Sequence, residues 1–109
     1  MAYTPYHNID GAAGVDVELL APGDNAGNIK SISFANTGAD SAVLTVFLQD
    51  DPSSGSTNTF NLIYGVNVPI GTTLLLNDSS MLRFDNSSNG YGLYITVGSS
   101  DTLDVTINK

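Results

Sequence analysis

Cysteine and tryptophan are absent from the 109 residues, and the single histidine is His7. Without Cys there is no disulfide, no thiolate zinc site and no Cys nucleophile. Cations are scarce: three Lys and Arg stand against eleven Asp and Glu, a formal net charge of −8. A surface that tracks phosphates needs clustered Lys and Arg, so no nucleic-acid partner is expected. No run approaches the ~20 apolar residues of a membrane helix, so no membrane partner is expected either. Residues 1–10 have neither a basic n-region nor an apolar h-region, and a Sec signal is not expected there. Helical patterning is missing as well, since no segment of ten residues keeps apolar positions at i, i+3, i+4 and i+7.

What the chain does have is uncharged polarity. Charged residues are 13% of the total, whereas Ser, Thr and Asn number 12, 10 and 11. Such side chains suit sheet faces and turns better than exposed helices. The length sets one domain with one core.

Period-two segments bounded by Gly, Asn, Asp, Pro or Ser recur along the chain. Strands are predicted over 15–20, 29–35, 42–49, 59–64 with a continuation over 66–68, 72–76, 81–84 and 91–97, and last on Leu103, Val105 and Ile107. Within 59–64, Phe60, Leu62 and Tyr64 align, and Gly65 marks a bulge or bend. The strand 42–49 has two apolar faces. Leu44, Val46 and Leu48 share one, and Val43, Thr45 and Phe47 the other, which predicts a central strand or a subunit contact. About eight short strands without helices read as an all-β fold, an antiparallel β-sandwich or jelly roll. Residues 1–14, with Gly-Ala-Ala-Gly at 11–14, fall outside the pattern and read as a flexible N-terminal arm, leaving 15–109 as the sandwich domain.

Candidate chemistry is thin. His7 lies in the arm, where no nucleophile or orienting acid is held beside it, so it reads as a solvated or contact-making residue. Asp50, Asp51, Asp78, Asp85 and Asp101 occupy turns, where Asx side chains bind their own backbone without any metal. No calcium-loop spacing is present. One Glu, Glu18, and no Trp platform argue against glycoside hydrolysis. Asn77-Asp78-Ser79 and Asn86-Ser87-Ser88 match the glycosylation sequon and are read as turns. No catalytic, cofactor-binding or metal residue is expected. Tyr94 falls opposite Tyr91, Leu93 and Ile95, which predicts it exposed and suited to a protein contact or sugar stacking. The interface candidates are Tyr3, Tyr6, His7, Val43, Phe47 and Tyr94.

Four stretches carry a resemblance: Ile32-Ser33-Phe34-Ala35-Asn36-Thr37-Gly38, Val43-Leu44-Thr45-Val46-Phe47-Leu48-Gln49-Asp50, Val68-Pro69-Ile70-Gly71-Thr72-Thr73-Leu74-Leu75-Leu76 and Tyr91-Gly92-Leu93-Tyr94-Ile95. Over about residues 29–107 this layout resembles small β-sandwich virion structural proteins of tailed bacteriophages. The resemblance implies a non-enzymatic head decoration, or cement, protein on the capsid exterior. Its expected partners are the major capsid protein or other virion proteins and further copies of itself, as a homotrimer. It supplies no catalytic or ligand residues. Two other readings stay open: a carbohydrate-binding module of a tail or cell-surface protein, with or without Ca²⁺, and a neck or tail adaptor.

Overall fold

The computed structural model describes residues 6–10, 16–24, 29–50, 58–78, 82–98 and 101–108. They form eight strands: β1 (Tyr6–Asp10), β2 (Asp16–Leu20), β3 (Ser31–Asn36), β4 (Ala42–Asp50), β5 (Thr59–Val68), β6 (Thr73–Leu76), β7 (Tyr91–Val97) and β8 (Thr102–Asn108). Two four-stranded sheets result, ordered β1-β8-β3-β6 and β2-β7-β4-β5, with every pairing antiparallel. Four of the pairings, β1 with β8, β2 with β7, β3 with β6 and β4 with β5, are those of one long hairpin. Rolling that hairpin brings β3 beside β8 and β4 beside β7. This is the jelly-roll winding, which closes two sheets over one core.

The core follows from strand alternation. In β3 the residues Ile32, Phe34 and Asn36 turn inward, opposite Ile107, Val105 and Leu103 of β8. In the other sheet Leu44 and Val46 of β4 stand opposite Val97 and Ile95 of β7, and all four are buried. Each such side chain contributes roughly 1.5–3 kcal/mol by leaving water, so the cross-strand rows are what hold the sandwich shut.

Two buried amides pin the connections. Asn36 Nδ2 donates to the Asp40 and Val68 carbonyls at 2.8 and 2.9 Å, and its Oδ1 accepts the Gly38 N–H at 2.9 Å. Asn86 Nδ2 donates to the Ala21 and Tyr91 carbonyls at 2.9 and 2.8 Å. No buried side-chain N or O lacks a partner among the described residues. That full satisfaction is the condition under which a buried amide stabilises a loop.

The strand count agrees with the pattern, but the membership differs in two places. Residues 6–10, expected within the arm, form β1 and pair along β8, with Ile9 opposite Leu103 and only 4% exposed. One deeply buried residue and the half-buried His7 make too short an apolar row to register as periodicity. The rest of the expected arm lies outside the described residues. Residues 82–84, expected as part of a strand, are not in one. Leu82 is buried, Arg83 exposed and Phe84 packed against the core, so the alternation is present without a ladder. Period two reports which side faces the core; it does not require a neighbouring strand.

Candidate functional site

The turn carboxylates act as backbone caps. Asp50 accepts the Asn58 N–H and Nδ2 at 2.8 and 3.0 Å and clasps the base of the β4–β5 connection. Asp24 accepts the Ala21 N–H at 2.9 Å, and Asp101 accepts the Val43 N–H at 3.2 Å. Hydrogen bonds from Ser87, first its hydroxyl and then its backbone N–H, hold the Asp85 carboxyl below its ordinary value. Among the described residues no three His, Cys, Asp or Glu side chains gather as a metal-binding group. Asp51 lies outside the described residues.

Three of the interface candidates share the outer face of the β2-β7-β4-β5 sheet. Phe47 of β4 pairs with Tyr94 of β7, and their rings stack with centroids 5.7 Å apart and an interplanar angle of 17°. Val43, on the same face of β4, is exposed. Tyr94 is on the outward face as its alternation predicts, but it is only 5% exposed, and Phe47 likewise. Gly92 explains this. A Cβ there would sit 2.9 Å from the Tyr94 ring and 2.5 Å from the Leu20 carbonyl oxygen, so the ring lies over a position that has no side chain. The Tyr94 hydroxyl meets Glu18 Oε2 at 3.1 Å across β2. Burial of this pair thus removes both residues as free contact groups. Tyr6, exposed, and His7, half-buried, belong to β1 in the other sheet, and Tyr3 lies outside the described residues.

Beside the stacked pair the outer face has a shallow depression largely open to solvent. A groove of about 470 Å³ runs between Val43, Thr45, Phe47 and Gln49 of β4 and Thr59, Asn61, Tyr64 and Gly65 of β5, with Thr96 of β7 at its side. Two register shifts in the β4–β5 ladder shape it. Gly65, at φ +63°, takes up one of them, and its N–H donates to Thr45 Oγ1 at 3.0 Å. This is the bulge expected at Gly65. The other shift falls at Leu62, since Val46 pairs with Ile63 while Phe47 pairs with Asn61. It breaks the expected alignment of Phe60, Leu62 and Tyr64. Phe60 pairs with Leu48 and packs edge-on against Tyr91, whereas Tyr64 lines the outer groove.

Most of the large exposed apolar groups lie on β5, on the turn after it and on β6, while Tyr6 on β1 and Val43 on β4 lie elsewhere. Tyr64 is 78% exposed, and Phe60, Val66, Ile70 and Leu75 join it on β5, on the turn after it and on β6. β5 and β6 are each the last strand of their sheet. The opposite edges, β1 and β2, carry Asp10, Asp16 and Glu18. Between Asp51 and Asp78 the chain has no Asp, Glu, Lys, Arg or His, so the entire β5–β6 rim is neutral in a domain of net charge −8. That gap in charge was the sequence signal for this surface, and the period-two reading passed over it.

No protein-family model matches the chain, and no curated protein is significantly similar to it. The fold does recur among solved structures. A chain in the structure of infectious bursal disease virus, Gx strain, superposes with a TM-score of 0.50 at 16% identity, over 94% of this chain and 28% of that one. One in the Gt strain structure of the same virus gives a TM-score of 0.48 at the same identity and coverage. At this identity the likeness is one of fold, and this chain spans about 28% of the length of those virus chains.

Proposed function

We propose that the chain is a non-enzymatic structural protein of a virus particle, a decoration protein that binds the head exterior of a tailed bacteriophage as a homotrimer. The observation that carries this reading is the neutral, apolar β5–β6 rim on an otherwise acidic domain. Exposed apolar groups on sheet edges favour association, and most natural edges blunt it with Lys or other charges. This rim has none. Elsewhere the acidic surface repels further copies of itself, so the rim is where like-charged domains approach at least cost. The likeness to a chain of a virus structure supports the virion setting at the level of fold. An acidic protein is also better placed outside a shell than beside packaged DNA.

The mechanism is additive. Each copy buries part of its rim against a neighbouring copy or a capsid subunit, and many modest interfaces together raise the cost of opening the shell. Tyr6 on β1, with Tyr3 upstream of it, would supply a second contact, to the major capsid protein.

Analytical ultracentrifugation of the pure protein at tens of micromolar, followed by binding to heads stripped of their decoration, tests the reading. Self-association and saturable binding are expected, both abolished by Ile70→Asp with Leu75→Asp. A monomer at every concentration that also fails to bind heads refutes the proposal. Electron cryomicroscopy of the parent particle then distinguishes the head exterior from a neck or tail position.

A further inference from the structure

Apart from Tyr64, which it shares with the rim, the groove on the outer face of the β2-β7-β4-β5 sheet has a lining that particle assembly does not require. We propose that it is a binding site for a neutral oligosaccharide. Its volume, about 470 Å³, falls within the range of small-ligand sites. Among the described residues no charged side chain lines it, although the protein carries eleven acids. A polyanion or a cationic peptide therefore finds no counter-charge in the groove, and a neutral ligand meets no unpaired charge.

The polar groups present are hydroxyls and amides: Thr45, Thr59, Thr96, Gln49 and Asn61. Each both donates and accepts, as sugar hydroxyls do. Three of them are already held in place. Gln49 Nε2 donates to Thr59 Oγ1 at 3.0 Å, and Thr45 Oγ1 accepts the Gly65 N–H at 3.0 Å. Thr45 keeps its hydroxyl hydrogen to give, and Gln49 keeps its carbonyl oxygen to receive. Polar groups fixed before binding lose less freedom when the ligand arrives.

At the rim of the groove stands Tyr64, 78% exposed. Exposing an aromatic ring to that degree costs solvation and adds nothing to the core. It offers an apolar face on which the C–H side of a pyranose ring can lie, with a hydroxyl at its tip. The bulge at Leu62 is what brings Tyr64, and not Phe60, to this face. The two bulges of β5 also disrupt the edge ladder, which disfavours an extended peptide adding there as a further strand.

The experiment is an amide-resonance titration of the full chain. The probes are cellohexaose, maltohexaose, laminarihexaose and chitohexaose, with hexagalacturonate and an uncharged hexapeptide as alternatives. Saturating shifts at Gln49, Asn61, Tyr64 and Thr96 with at least one neutral hexasaccharide are expected. Tyr64→Ala and Asn61→Ala should each weaken that binding roughly five- to tenfold, the scale of one lost ring contact or hydrogen-bonded pair. Leu75→Asp, on β6 in the other sheet, should leave it unchanged while still weakening self-association. The site is refuted if no neutral hexasaccharide saturates by about 10 mM, a limit corresponding to a few kcal/mol. It is equally refuted if hexagalacturonate or the peptide binds more tightly, or if both groove variants bind like the native chain.

Discussion

Replacing Ile9 with alanine tests whether the first described strand is part of the sandwich. Ile9 is 4% exposed and stands opposite Leu103, itself fully buried, in the β1–β8 ladder. Truncating a buried Ile to Ala costs about 2–5 kcal/mol, depending on how far the neighbours collapse. β1 is an edge strand with β8 on one side only, so relaxation is easier there and the lower part of the range, about 2–3 kcal/mol, applies. In a domain of this size 1 kcal/mol moves the midpoint by some 4–6 °C, so Tm should fall by roughly 10 °C. Tyr6→Ala is the control. Tyr6 is 71% exposed on the same strand, and its loss should stay within about 0.5 kcal/mol. Circular dichroism during thermal and urea unfolding reads both variants, at one protein concentration because association adds stability by mass action. If Ile9→Ala unfolds like the native chain, β1 contributes nothing and residues 1–14 are an arm after all.

Gly92→Ala should be among the most damaging single-carbon additions, costing about 3 kcal/mol or more, because the new Cβ meets the Leu20 backbone at 2.5 Å. Gly65→Ala, with nothing within 4 Å, should cost only the ~1–2 kcal/mol of its positive φ, and calorimetry of the two variants gives the comparison. Asn36→Ala strands the buried Val68 carbonyl and should lose about 2–4 kcal/mol in urea unfolding, against less than 1 kcal/mol for an exposed Asn such as Asn67. Asp85 has a lower pKa folded than its ordinary 3.8, so it stabilises the fold above about pH 4 and that contribution is lost as pH falls through the folded value. Asp85→Asn should remove this component, seen as a shallower loss of stability between about pH 5 and pH 3. Self-association through the neutral rim should strengthen with added salt, since salt screens the −8 charge and leaves apolar contacts intact; sedimentation showing dissociation at high salt would argue for an ion-paired interface instead.

Much of the sandwich was legible in the residues because alternation is a local property. Ile32 and Phe34, Leu44 and Val46, and Leu103, Val105 and Ile107 each form an apolar row two residues apart, and each row faces the core. Turn-forming Asx and Gly residues separate the rows, which limits the fold to short antiparallel strands. The sequence by itself also determined the net charge of −8 and the neutral stretch between Asp51 and Asp78. Pairing is a different kind of fact. Residues 6–10 become a strand only because β8, nearly a hundred residues on, offers a free ladder, and residues 82–84 alternate without any strand to pair with. Which side chains the outer face exposes was decided at the same long range. Tyr94 points outward as its spacing requires, yet it is covered because Gly92 and Phe47 lie beneath and beside its ring. Tyr64 reaches the outer groove because the bulge at Leu62, defined only by the register against β4, turns one strand face over between Phe60 and Tyr64. Local chemistry sets which side of a strand is apolar, and only the partner strand fixes which residues that side finally presents.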